Sequence, residues 1–259
     1  MSQTKGVAIV TGSAQGIGRA IAIRLAQDGF DVALNDLPAK KAVLEDLAAE
    51  LERGGELEGS YHPKTCVVAG DVSKEDEVKN MIDTAVDVLG SLDVMVANAG
   101  IGLPSDILTE TVEGWERIMQ TNATSAFLCY KYAAVQMVEQ GRGGRIIGAS
   151  STLGKQGKIS SPEFDASKFA IRGLTQAAAL QLGRHGITVN SYGPGAIDTP
   201  MLAIGIPDDK MLEVIDASAV GYLGQPEDVA SIVSYLASKE AHFITGKLPI
   251  EPVPTRTNR

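Results

Sequence analysis

Residues 7–18 read Val7-Ala8-Ile9-Val10-Thr11-Gly12-Ser13-Ala14-Gln15-Gly16-Ile17-Gly18. The first four are small or β-branched and apolar, the signature of a short strand buried on both faces. A glycine-rich turn follows. Ile17, Ile21 and Leu25 then recur at helical spacing and give one apolar face. Strand, glycine turn and helix in that order make a phosphate cradle. Gly12 permits a tight turn, Gly16 lets the backbone approach a pyrophosphate, and Gly18 lets the helix pack close to the strand. Unpaired N–H groups at the positive end of the helix dipole face the phosphate. Glycine clusters mark many turns. The strand before this one and the helix after it make the stretch from Gly12 through Gln15, Ile17 and Gly18 a dinucleotide-binding motif.

Asp36 ends the next strand, Val32-Ala33-Leu34. It lies about 20 residues past the loop, where a carboxylate accepts hydrogen bonds from the adenosine ribose hydroxyls and repels a 2′-phosphate. No Lys or Arg stands in the three positions before Asp36, and the nearest after it is Lys40, beyond Leu37. NAD(H) is therefore expected over NADP(H). Arg19 would weaken that preference if it turned toward the ribose.

Strand and helix patterns alternate along the rest of the chain. A helix is expected over Lys40–Arg53, closed by Gly54-Gly55, and a strand over Thr65–Ala69. Ser73 is expected to cap a helix running to Leu89, with Asp76 completing an S-x-x-D pattern. Further strands are expected over Leu92–Ala97, Gly144–Ala149 and Ile187–Ser191, and helices over Val112–Glu139, Pro162–Leu182 and Pro226–Ser238. Gly246–Ile250 is a candidate seventh strand. Continuous apolar strands separated by helices imply a parallel sheet covered on both faces, with right-handed crossovers. The expected architecture is one doubly wound α/β domain of the Rossmann type over residues 1–259. The irregular stretch is Asp198–Gly224, which mixes Met201, Leu202, Ile204, Ile206, Met211 and Leu212 with the charged break Asp208-Asp209-Lys210. It reads either as a surface helix pair or as a lid over an apolar substrate.

Bulk properties narrow the function classes. The charge balance of 23 Lys and Arg against 32 Asp and Glu, net −9, repels a phosphate backbone, so nucleic acid is not an expected partner. No apolar run reaches the roughly 18 residues of a membrane span, and the polar Met1–Lys5 lacks the apolar core of a signal peptide, so a cytoplasmic protein is expected. Cys66 and Cys129 are the only cysteines, and His62, His185 and His242 share no ligand spacing. Neither a disulfide framework nor a metal site is expected.

Taken together, these motifs resemble the short-chain dehydrogenase/reductase family along nearly the whole chain. Thr11-Gly12-x-x-x-Gly16-Ile17-Gly18 is similar to its cofactor loop, and Asp71-Val72 to the pair that holds the adenine edge. Asn98-Ala99-Gly100 resembles its sheet-stabilising turn. Asn122, Ser151 and Lys168 stand at its catalytic Asn, Ser and Lys positions. Pro194-Gly195, with Ile197 and Thr199, is similar to the segment that reaches the nicotinamide carboxamide. Lys168–Ala179 and Gly186–Pro200 resemble the acetoin/diacetyl reductase and polyol dehydrogenase branch.

Two departures stand out. Where the family has Tyr-x-x-x-Lys, this chain has Phe164-Asp165-Ala166-Ser167-Lys168. Where relatives end in a polar-Gly-Gly turn, it has the proline-studded Gly246-Lys247-Leu248-Pro249-Ile250-Glu251-Pro252-Val253-Pro254, and Pro249 confines this piece to a sheet edge or coil.

The resemblance implies hydride transfer between nicotinamide and a carbinol or carbonyl carbon. In the family a tyrosine hydroxyl moves the proton, a lysine one turn away lowers its pKa, a serine holds the substrate oxygen and an asparagine supports a proton-supplying water. Phe164 keeps the ring without the hydroxyl, so a loss of roughly 10²–10⁴-fold is expected. Asp165 points about 100° around the helix, Glu163 is expected to be solvated, Tyr192 to be a core aromatic, and Ser151 with Lys168 to offer at most a relay through water. Three readings stay open: an oxidoreductase with its Tyr replaced by Phe to trap a ligand, a natural non-redox enzyme that keeps the dinucleotide as a fixture, and a non-catalytic dinucleotide sensor. Phe164, Leu153, Met201, Leu202, Ile204 and Ile206 are expected to line an apolar pocket, which suits a small or medium hydrophobic ketone or secondary alcohol. Relatives pair through their long helices, so a homodimer or homotetramer is expected, and the altered C-terminus bears on the tetramer's second interface.

Overall fold

A computed structural model of the chain describes residues 4–53, 61–157 and 161–249. Strands β1 (Val7–Thr11), β2 (Asp31–Asn35), β3 (Thr65–Val67), β4 (Val94–Ala97), β5 (Gly144–Ala149) and β6 (Ile187–Tyr192) form one parallel sheet in the order β3-β2-β1-β4-β5-β6. The register runs Ala8 with Val32 on one side of β1 and Ala8 with Val94 on the other. Strand order therefore reverses between β1 and β4, and a crevice opens beyond their C-terminal ends, where open α/β sheets bind ligands.

Alternation within the strands feeds two cores. Val10, Leu34 and Val96 point to one face, which is covered by α1 (Gly16–Gln27), α2 (Lys41–Glu52) and α9 (Pro226–Ala237) through Ile21, Leu25, Leu44, Leu47, Val229 and Val233. Ile9, Met95, Ile146 and Val189 point to the other, covered by α3 (Glu75–Leu89), α5 (Ser125–Gln140) and α6 (Pro162–Leu182) through Met81, Ile82, Met137 and Ile171. Each strand has a helix layer on both sides, which is why its sequence is apolar throughout.

Three expectations are corrected. The long helix expected over Val112–Glu139 is α4 (Val112–Met119) and α5 joined by a π-helical turn at Gln120–Thr124. Such single π turns within helices often sit at functional sites, and the buried residue of this one is Asn122. Ser73 does not cap α3: its hydroxyl donates to Asp71 Oδ1 at 2.7 Å, the N-cap is Lys74, and the helix end is complemented by Glu75, Asp76 and Glu77 in its first turn. The candidate seventh strand is not a regular strand as far as Pro249. Gly246 N donates to Val189 O, Ser191 N to Lys247 O and Gly193 N to Pro249 O, so the segment follows β6 as an irregular edge in which Pro249 has no donor to offer. Asp198–Gly224 folds as a helix pair, α7 (Pro200–Gly205) and α8 (Asp208–Ala217). Gly54-Gly55, expected to close α2, and the last two prolines lie outside the described residues. Among the described residues no helix is long and apolar enough to cross a membrane.

Candidate active site

The cofactor half grows out of the end of β1. Gly12 and Gly16 take φ of +67° and +54°, conformations that suit glycine, and a side chain at Gly18 would run into the Gly12 carbonyl. Gln15 occupies the N-cap of α1 without a side-chain cap bond, and it is exposed, so the first N–H groups of the helix keep their capacity for an anion. Lys40 Nζ lies 3.4 Å from Gln15 Oε1. Ile17 packs against the core beneath the loop.

Asp36 sits beside this loop and accepts from Ala14 N at 3.1 Å and Leu37 N at 2.8 Å. Leu37 itself is exposed. Arg19 forms an ion pair with Glu50 at 2.5 Å. Asp71 accepts from Ser73 N and Oγ, and Val72 is buried next to it. Asn98, Ala99 and Gly100 leave β4 facing the loop, with Asn98 N and Ala99 N both donating to Thr11 Oγ1 at 3.0 Å. Thr199 closes the far side: a Cβ on Gly16 would lie 3.3 Å from Thr199 Cγ2. Thr199 also caps α7 by accepting from Leu202 N. Pro194 O accepts from Thr152 N at 3.1 Å, Gly195 follows it half-buried, and Ile197 is buried and bridges to Gly224.

The second half gathers at the ends of β4 and β5. Asn122 is buried by the π turn, where its Oδ1 accepts from Ile101 N at 2.8 Å and its Nδ2 donates to Ile101 O at 2.9 Å. Nδ2 also reaches Ser167 Oγ, which donates to Phe164 O at 2.7 Å. Lys168 is 5% exposed and its Nζ donates to Ala149 O at 2.9 Å. A Cβ on Gly100 would touch both Asn122 Oδ1, at 3.1 Å, and Lys168 Nζ, at 3.5 Å, so the three residues share one small space. Ser151 leaves β5 beside them, and its Oγ accepts from Leu153 N at 3.1 Å. Phe164 is half-buried, and its ring centroid lies 5.2 Å from Lys168 Nζ. Gly102 packs on the ring at 3.1 Å and approaches Met201 Sδ at 3.8 Å, both measured from an ideal Cβ. Sequence positions separated by more than 60 residues thus meet around one opening.

Burial pushes the Lys168 ammonium down to about 8, because desolvation disfavours its charged form. Glu163 corrects an expectation: it is 1% exposed, not solvated. Its carboxylate takes the Ser105 hydroxyl at 2.7 Å and the Ser161 hydroxyl at 2.7 Å, and these hydrogen bonds hold it below the usual carboxylate range despite burial. Glu163, Ser105 and Ser167 were not readable as site residues, since each gains its role through a partner distant in sequence. Tyr192, expected as a core aromatic, is buried, and it also donates its hydroxyl to Asn98 Oδ1 at 2.7 Å.

A family model described as enoyl-(acyl carrier protein) reductase matches residues 12–249. The chain is 51% identical over 247 residues to a short-chain dehydrogenase/reductase of Armillaria gallica, covering 93% of this chain and 92% of that one. It is 39% identical over 252 residues to L-2,3-butanediol dehydrogenase of Corynebacterium glutamicum, covering 93% and 95%. A crystal structure of a short-chain type dehydrogenase/reductase from Mycobacterium marinum superposes with a TM-score of 0.89 at 32% identity, covering 96% of this chain and 94% of that one. The chain belongs to the short-chain dehydrogenase/reductase family, an oxidoreductase family that binds nicotinamide dinucleotides.

The depressed Lys168 predicts a pH effect on stability. Below about 8 the folded protein carries the full cost of a buried ammonium. Above it the folded state sheds that proton while the unfolded chain retains it, so stability rises with pH until the unfolded lysine also titrates, with a slope of at most ~1.4 kcal/mol per pH unit. Urea unfolding at several pH values should show that slope as a difference between the protein and its Lys168→Met variant. Parallel pH dependences in the two would refute it.

Proposed function

We propose that the chain binds NAD(H) and is built as an oxidoreductase for a small or medium hydrophobic ketone or secondary alcohol, with its proton transfer impaired by Phe164. The observation that carries this reading is that Lys168 Nζ, which shares the space at Gly100 with Asn122 and donates to Ala149 two residues before Ser151, faces a Phe164 ring that has no hydroxyl, while a glycine loop of the shape that suits a pyrophosphate ends β1. NAD(H) over NADP(H) is supported by the Asp36 carboxylate at the loop and by the pairing of Arg19 with Glu50, which engages that guanidinium. The butanediol dehydrogenase relative supports a small secondary alcohol as the substrate class.

The bound nicotinamide supplies the hydride acceptor or donor. The chain's own residues do the rest. Gly12, Gly16 and the N-terminus of α1 would hold the phosphates, and Asp71-Val72 would lie at the adenine. Asn98, Ala99, Gly100, Pro194, Gly195, Ile197 and Thr199 shape the walls. Ser151 Oγ, which accepts from Leu153 N, keeps its own proton to donate to a substrate oxygen. Asn122 carries Ile101 on its amide and fixes the wall against Lys168. Lys168 points toward the Phe164 ring, where a phenol would place an oxygen, and it finds a π face instead. The ring keeps the pocket's shape and excludes water without transferring a proton. Helices α7 and α8 form the lid, with Met201 half-exposed next to Gly102 and Phe164 beneath it.

Two outcomes follow. Phe164→Tyr places a hydroxyl near Lys168, and NADH-dependent reduction of a small ketone such as acetoin should rise by roughly 10²–10⁴-fold with little change in NADH affinity. If the Tyr variant binds NADH and stays inert across a panel of ketones and alcohols, a non-redox or dinucleotide-sensing role replaces this one. Amide exchange over residues 198–224 should slow when NADH and a ketone are both present, and slow exchange already in the free protein would make the helix pair permanent structure.

A further inference from the structure

Tyr192 ends β6, two strands away from β4, yet its side chain passes β5 to reach the turn after β4. The phenol is 2% exposed and its O–H donates to Asn98 Oδ1 at 2.7 Å. The other side of that amide is committed: Asn98 Nδ2 donates to Thr11 O at 2.8 Å and approaches Gly12 O at 3.4 Å. Those two carbonyls demand the NH₂ on their side, which leaves Oδ1 facing the end of β6, where Tyr192 is the group that donates to it. Burial drives the phenol far above its ordinary pKa, so it remains a neutral donor throughout the working range. Asn98 also touches the loop directly, since a Cβ on Gly12 would lie 3.0 Å from Asn98 Nδ2.

We infer that Tyr192 is a positioning residue of the cofactor site: its hydroxyl holds the Asn98 amide, and through it the Thr11–Gly12 turn, in the shape that receives the dinucleotide. The inference rests on the dinucleotide reading above. Without the hydroxyl, part-buried Asn98 Oδ1 loses the donor it has in the fold, and a flip of the amide that seeks another takes Nδ2 off the Thr11 and Gly12 carbonyls. The turn then samples shapes that do not fit a pyrophosphate, and affinity falls by the fraction of time spent in them.

The test is a thermodynamic cycle on the unaltered protein, Tyr192→Phe, Asn98→Ala and the double variant. NADH affinity is read by fluorescence titration well below each protein's melting temperature, so that only folded protein is measured. Tyr192→Phe should weaken NADH by about 3–10-fold, the loss of one hydrogen bond, and should add nothing once Asn98 is alanine. If Asn98→Ala does not fold, the Tyr192→Phe affinity decides alone. A lower melting temperature with unchanged affinity, or losses that multiply in the double variant, overturns the inference. Failure of the unaltered protein to bind NADH removes the dinucleotide reading itself, and this inference with it.

Discussion

One side chain ties the two halves of the sheet where the strand order reverses. Thr11 Oγ1 accepts from Asn98 N and Ala99 N, each at 3.0 Å, and Thr11 O takes the Asn98 side chain. The glycine loop and the turn after β4 are therefore one unit. The loop sets the start of α1, and the turn sets Gly100 and Ile101, which meet Asn122 and Lys168. A displacement at Thr11 would reach the phosphate cradle and the Ser151–Lys168 corner together, although the residues concerned come from the first and second halves of the chain.

The corner itself is electrostatically unusual. Lys168 is a buried cation whose desolvation dominates its electrostatics. Its visible partners are the Ala149 carbonyl and the face of Phe164. A carbonyl and a π face stabilise an ammonium less than an anion does, which is the physical content of its depressed pKa. A phenol at position 164 would supply both a hydrogen-bond acceptor and, on losing its proton, a counter-charge. The site keeps the cation and the ring against it, and under the proposed function the absent hydroxyl is the group Lys168 would activate.

Much of this was legible in the sequence, for local reasons. Pro162 and Leu182 bound α6 as expected because proline suits a first helical turn and the apolar repeat ends at Leu182. Gly144–Ala149 was readable because the glycine pair Gly143-Gly144 leads into the apolar Ile146-Ile147. The glycine loop, Asp36 and the Phe164 gap all declare themselves within a few residues. What could not be read depends on distant partners. The π turn at Asn122 has no local signature, since a periodic apolar pattern tolerates one inserted residue. Glu163 looked solvated because its burial comes from Ser105, 58 residues earlier, and the Tyr192 contact with Asn98 spans 94 residues. Ser73 failed as a cap because Asp71, two residues before it, claims its hydroxyl.

The central claim is that the loop beside Asp36 receives NAD(H), whatever Phe164 does to turnover. Calorimetric titration of the unaltered protein with NADH and with NADPH tests it without requiring catalysis. Saturable NADH binding, tighter than NADPH binding, is expected. Equal or reversed affinities, or no binding of either nucleotide, would contradict it.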